Sequence, residues 1–546
     1  MSKKPLNFIW TCLFVLAFLT AGDKGYAAEP EHICTRPVQT QEGPVIGAPV
    51  QEGRACVYKG IPYAAPPLGK LRFRPPEPPA ERESALKALE FAPECMQRDE
   101  FSWTAGGSPV TELSEDCLYL NIWRPAREGR FPVLVFIHGG WFVSGSGARP
   151  SWQGDRLAAQ KDLVVVTINY RLGAFGFLAL PALAEEDPDN STGNYGLMDQ
   201  VRALEWIKNN IHGFGGDPWR ITVAGSGAGA SSVCALLTSP AAQGLIHRAI
   251  MQSGGCRASR VREDAYRRGE ELARKLGCSG ASAPSCLRNK PAEKIVKATP
   301  EKNDLRDWFD FAFLPVEDGH VVLDTPLSRI NEGDYYRVPV IVGSNRNEAH
   351  FLTLEYPGLR LAFEFTMRRF MEDILGEDGL YGLDHFYTLS HYRRPADQAL
   401  HAFGDLVFGC PALEAAEALS RKQESVYYYS FDYDEHMYTK MVGAARGFEV
   451  PFIFDTLDRK PHNLVYAIHQ RDNARPLIDV MTGFWTRLAA KGDPNHPSLP
   501  LWPAYQQERR QKMYLDLPAF AIHTDNMERC RYWRQHGLVL NQQKED

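Results

Sequence analysis

The sequence predicts an α/β protein with a large, mostly parallel central sheet covered by helices on both faces and a helical cap-like portion. Three observations carry this. Phe131 to Ile137 and Leu163 to Ile168 are nearly continuous apolar runs, as in central parallel strands that have no solvent-facing side. Leu197, Val201, Leu204 and Ile207 recur at helical spacing between Asn194 and Asn210. Strands and helices then alternate, the pattern of a sheet whose functional loops lie at strand ends.

Taken in order, Ile221 to Ala224 predicts a short strand that runs into the tight turn Gly225 to Gly229 and an apolar helix. Val338 to Val342 predicts another buried strand, turning out through Gly343-Ser344-Asn345. From about Leu361 to Arg421 the pattern is more helical. There Phe363, Phe365, Met367, Phe370 and Met371 either line a ligand gorge or serve ordinary helix packing.

The 546 residues carry 61 Lys and Arg against 67 Asp and Glu, a net charge of −6, with 44% hydrophobic and 23% charged residues. These are globular values, and they exclude extended disorder, coiled coil and collagen. A mild acidic excess without a basic block argues against nucleic acid or an anionic membrane as main partner. No internal repeat or low-complexity linker divides the chain, so a single domain over residues 28–546 is expected.

Residues 1–27 have the form of a secretory signal. Lys3 and Lys4 give a positive start, Phe8 to Ala21 is apolar, and Gly25-Tyr26-Ala27 supplies small residues for cleavage. The apolar stretch is shorter than the ~20 residues that span a bilayer. No later segment is long and apolar enough to span, and a secreted or periplasmic protein is expected.

Ten of the eleven cysteines follow the leader, and export favours disulfides. Cys95 with Cys117 and Cys278 with Cys286 have short, loop-like separations, and Cys34 with Cys56 forms a third candidate pair. Cys234, on an apparent buried helix, is expected to pack as a small apolar residue. None of the spacings is a CxxC pair, which argues against structural zinc.

A set of motifs runs in order along the chain: Gly60-Ile61-Pro62-Tyr63-Ala64, Ser114-Glu115-Asp116-Cys117-Leu118-Tyr119-Leu120-Asn121, His138-Gly139-Gly140-Trp141-Phe142, Asn169-Tyr170-Arg171, Gly193-Asn194-Tyr195-Gly196, Phe214-Gly215-Gly216-Asp217-Pro218, and Gly492-Asp493-Pro494-Asn495 before Trp502-Pro503. The set resembles the carboxylesterase type B family, the cholinesterase-like branch of the α/β hydrolases. The resemblance covers nearly all of the chain after the leader. It implies the α/β-hydrolase fold, disulfides Cys95–Cys117 and Cys278–Cys286, and neither cofactor nor metal.

The resemblance also implies a Ser-His-acid triad with backbone N–H donors facing the oxyanion. Here the sequence departs from the family. The nucleophile is the centre of Gly-x-Ser-x-Gly, ten positions after the Asp of Gly-Gly-Asp-Pro. Counting from Asp217 reaches Gly227, within Gly225-Ser226-Gly227-Ala228-Gly229. The family's base position, just before Gly447-Phe448-Glu449, holds Arg446, which cannot act as a general base near neutrality. The acid position is retained as Glu348 in Gly343-Ser344-Asn345-Arg346-Asn347-Glu348, although Asn347 and Ala349 replace the usual Asp and Gly. Gly139, Gly140 and the N–H of Ala228 match the oxyanion hole. Ser226 is an alternative nucleophile out of register by one, with His350 or His436 as a replacement base; neither His sits at a family base position.

Losing triad members costs on the order of a million-fold in turnover. The expected function is therefore that of a secreted, non-hydrolytic member with a broken triad. It would bind a small or lipid-like ester or carboxylate ligand in the old gorge, or a protein partner, as the neuroligin-like members do. The alternative is a carboxylic ester hydrolase with rearranged catalytic groups, or one recruited to another reaction. Glycine at 227 frees space beside Arg446. Arg446 is expected either to extend there and fork onto Glu348, or simply to neutralise an orphaned carboxylate.

Overall fold

The computed structural model describes residues 32–98, 112–299, 312–361, 363–524 and 526–536; the leader expected over residues 1–27 lies outside them. Eleven strands form the central sheet: β1 (Ala48–Val50), β2 (Ala55–Pro62), β3 (Tyr119–Pro125), β4 (Phe131–Ile137), β5 (Val164–Ile168), β6 (Gly216–Ser226), β7 (Arg248–Gln252), β8 (Val340–Asn345), β9 (Val426–Phe431), β10 (Gln511–Leu515) and β11 (Phe520–His523). Their spatial order is 11-10-9-8-7-6-4-5-3-2-1. Strands 5, 4, 6, 7, 8, 9 and 10 pair in parallel, and antiparallel strands close both edges.

The apolar runs occupy the middle of this sheet. Every residue of β4 and β5 is buried, as continuous hydrophobic strands under helices on both faces must be. β6 starts earlier than the apolar pattern indicates, because the chain from Gly216 already runs beside β4 and rejoins its register at Ile221. The helix expected near Asn194 is α1 (Tyr195–Asn210), and α2 (Ala228–Thr238) follows β6.

The helical region comprises α3 (Glu364–Phe386, broken at Gly376), α4 (Pro395–Gly404), a π-helical turn at Asp405–Gly409 and α5 (Cys410–Ser420). Further on, α6 (Ile468–Lys491) and α7 (Met527–Gln535) complete the layer. Met367 and Met371 are buried and Phe370 packs on the core, whereas Phe363 and Phe365 are exposed. These five serve packing or face outward rather than lining a gorge.

Five disulfides occur among the described residues. Cys34–Cys56, Cys95–Cys117 and Cys278–Cys286 pair as expected. The reading of Cys234 is corrected: it is fully buried on α2 but bonded to Cys256, just past β7. Parallel neighbours β6 and β7 bring the two together, a proximity that no sequence spacing encodes. Cys410–Cys530 ties α5 to α7. No described helix is long and apolar enough to cross a membrane.

A buried ion pair fixes the loop after β5. Arg171 donates from Nε and Nη2 to the two carboxylate oxygens of Asp199 on α1, at 2.8 and 2.7 Å, and its backbone N–H donates to the same group at 3.0 Å. Planar fork geometry makes such a pair rigid.

Candidate active site

The turn between β6 and α2 is the centre of the site. Gly227 has φ 59° and ψ −115°, a conformation that costs a side-chain-bearing residue roughly 1–3 kcal/mol. It is held by N–H donation to Gln252 O at 2.8 Å, while Ser231 N–H donates to Gly227 O at 2.9 Å. Gly229 lets α2 press onto the end of β4, where a Cβ would meet the Ile137 backbone carbon at 2.9 Å.

Arg446 reaches this turn from the opposite side. Its loop is pinned to the loop after β8 by Asn347 N–H donating to Ala444 O at 3.0 Å and Asn345 Nδ2 donating to Ala445 O at 2.6 Å. The guanidinium stacks over Phe408, 4.0 Å from its centroid, and over Trp141 at 4.7 Å. A Cβ built on Gly227 would fall 2.8 Å from Arg446 Cζ and closer still to Nη2. The cation thus fills the space of the side chain that position 227 lacks. Arg446 is 9% exposed, and its Nη1 is enclosed without a hydrogen-bond partner. Burial lowers its pKa, with Glu348 and Glu449 acting in the opposite direction.

The expected Glu348–Arg446 fork is not formed. No ion pair or hydrogen bond joins the two among the described residues. Glu348 instead accepts from Asn345 N–H at 2.7 Å through Oε1, and its Oε2 is buried without a partner. The rings of Phe408 and Trp141 hold the guanidinium away in a stacked position. Glu348 is 2% exposed, and burial pushes its carboxyl up to about 8 against the pull of Arg446. Behind it lies a second buried carboxyl, Glu449, which accepts from Asn345 Nδ2 at 2.7 Å and Gln252 Nε2 at 3.3 Å; burial raises its pKa too. Its sequence signal was only its place in the segment after Arg446.

The loop after β4 supplies the remaining wall. Tyr170 donates to His138 O at 3.1 Å, and the ring of His138 is driven down to about 3 by burial, so it stays neutral. Trp141 and Phe142 both take positive φ, 59° and 62°, an uncommon state for large side chains that occurs at functional loops. The Gly139 backbone lies against Ala228: a Cβ on Gly139 would be 3.8 Å from Ala228 N. Among the described residues, the N–H groups of Gly139, Gly140 and Ala228 have no acceptor.

These parts enclose a cavity with an empty volume of about 560 Å³, its mouth included. Gly227, Ala228 and Arg446 line it beside apolar Trp141, Phe142, Leu314, Phe408 and Pro411. Ser226, His350, His436 and Glu348 do not. His436 is bonded to Gly443 O at 2.9 Å and accepts from Tyr438 N–H, while His350 faces the ring of His401. Phe408 was missed by sequence reasoning. It projects from the π-helical turn, a feature without a sequence signature and frequent at functional sites. No group of three or more His, Cys, Asp or Glu suited to a metal occurs among the described residues.

The carboxylesterase family's sequence model matches residues 35–533. Para-nitrobenzyl esterase of Bacillus subtilis (strain 168) is 35% identical over 485 residues, 88% of this chain and 94% of that one. Acetylcholinesterase of Bungarus fasciatus is 32% identical over 91% of this chain and 85% of its own. Fumonisin B1 esterase of Sphingopyxis macrogoltabida is 34% identical over 86% and 84%. The crystal structure of a Geobacillus stearothermophilus carboxylesterase superposes with a TM-score of 0.79 at 34% identity, covering 91% of this chain and 99% of that one.

Proposed function

The chain belongs to the carboxylesterase family, and on that premise we propose that it is a non-hydrolytic member that binds a ligand where its relatives would carry out acyl transfer. One observation carries the reading: a buried arginine side chain stands where the side chain of a nucleophile would stand. Attack on an ester carbonyl needs a nucleophile and a base that takes its proton. Gly227 offers neither oxygen nor proton, and Arg446 remains a cation. In this reading Glu348 is a retained acid without an imidazole to orient, and the N–H groups of Gly139, Gly140 and Ala228 are an oxyanion hole now free to hold a bound ligand. The chain is taken as one exported domain. Five disulfides support an oxidising compartment.

A second reading, hydrolysis by rearranged groups, draws on the same N–H donors and on the esterase names of the relatives. The separating experiment is hydrolysis of a short-chain aryl ester by the purified mature protein, beside the double variant Gly227→Ser with Arg446→His. The expected result is a silent natural protein that forms no adduct with a serine-directed phosphonate, and turnover in the variant. Turnover or an adduct in the natural protein, on Ser226 or another serine, overturns the proposal.

A further inference from the structure

We infer that the cavity is a binding site for a small apolar monocarboxylate, with the carboxylate held between the Arg446 guanidinium and the N–H groups of Gly139, Gly140 and Ala228. This rests on the non-hydrolytic reading and gives the ligand its chemical class.

The argument begins with what the site lacks. A guanidinium carries five N–H donors and no acceptor. Arg446 is nine-tenths buried, yet among the described residues no hydrogen bond or ion pair reaches it. Its contacts are two aromatic faces. A buried cation left without a hydrogen-bonded partner is strongly unfavourable, so the side chain is arranged for something that is not part of the chain. Three further N–H groups without acceptors belong to this turn and to the loop after β4, one of them at the N-terminus of the eleven-residue helix α2. Arg446 and Ala228 line the cavity directly, and the Gly139 backbone lies against Ala228, a Cβ there falling 3.8 Å from Ala228 N. All four sets of donors favour negative charge, and a helix start adds to the same preference.

The anion's chemistry follows from the rest of the wall. Glu348 and Glu449 already act on the Arg446 charge, so a second negative charge on the ligand would be opposed, which suits a monoanion rather than a phosphate dianion. The other arginine on the cavity, Arg257, is already committed to Glu414 at 2.6 and 2.7 Å. A planar guanidinium matches a planar carboxylate. Trp141, Phe142, Leu314, Phe408 and Pro411 then offer an apolar surface for the body of the acid.

The test is calorimetric titration of the mature protein at pH 7 with hexanoate, methyl hexanoate, hexanamide and inorganic phosphate. Hexanoate is expected to bind at least tenfold more tightly than its ester, its amide or phosphate. Arg446→Gln should lose at least tenfold for hexanoate, and Arg446→Lys should restore part of it. The ligand ranking is measured on the natural protein, so it stands even if a variant fails to fold. Equal binding of hexanoate and its neutral analogues, a preference for phosphate, or no binding of hexanoate overturns the inference. None of these outcomes bears on the non-hydrolytic reading, which fails only if the aryl ester is turned over or the phosphonate forms an adduct.

Discussion

Arg446 and Gly227 are complementary in volume: the guanidinium occupies the place where a Cβ at position 227 would stand, 2.8 Å from Arg446 Cζ and closer to Nη2. This placement of the arginine depends on glycine at 227.

Gly227→Ser alone is therefore expected to destabilise the protein by about 1–3 kcal/mol, through overpacking and the positive φ. Adding Arg446→His should return part of that loss, leaving a coupling of roughly 0.5–3 kcal/mol between the positions. Denaturant unfolding of the natural chain, the two single variants and the double variant measures it. Additive effects would show that the two side chains do not share this space.

Glu348 makes stability depend on pH. Its carboxyl is raised from 4.5 to about 8 by burial, so between those values the unfolded chain has given up a proton that the folded chain keeps. This contribution is fully present below about pH 4.5 and is lost as pH rises through 8, with a slope of up to about 1.4 kcal/mol per pH unit. Glu348→Gln should flatten the slope, so that the variant gains on the natural protein from pH 5 to pH 8. Parallel stability curves for the two would contradict the burial argument.

Cys410–Cys530 closes a sequence separation of 120, against 8 for Cys278–Cys286. If disulfides act by restricting the unfolded chain, the long closure stabilises more. Replacing both Cys410 and Cys530 by serine should cost about 2–5 kcal/mol, and replacing Cys278 and Cys286 should cost less. Equal losses in thermal or denaturant unfolding would count against that account.

Among the described residues, Asp199 is the one carboxylate paired with the buried fork of Arg171. Asp199→Ala leaves the guanidinium buried without its counterion and should cost about 3–5 kcal/mol. A loss below 1 kcal/mol, read from the unfolding midpoint, would mean that the loop relaxes to hydrate Arg171.

Much of the fold was legible because its strands are buried on both faces and so read as uninterrupted runs; Phe131 to Ile137 matches β4 residue for residue. The replacements at Gly227 and Arg446 were visible too, since motif register depends only on counting. What they do together was not. The expected fork to Glu348 failed because stacking on Phe408 and Trp141 directs the guanidinium, and Phe408 comes from a π-helical turn far along the chain. Cys234 shows the same limit: burial was readable, whereas its partner depended on which strands become neighbours.

The shared volume at Gly227 and Arg446 also bears on any route back to catalysis. A side chain at 227 and this placement of the arginine exclude each other, and the clash falls on the flexible end of Arg446. A serine restored at 227 would have to turn that end aside, and it would still find no base at position 446. Regaining the chemistry therefore takes two changes, and the first brings no turnover by itself.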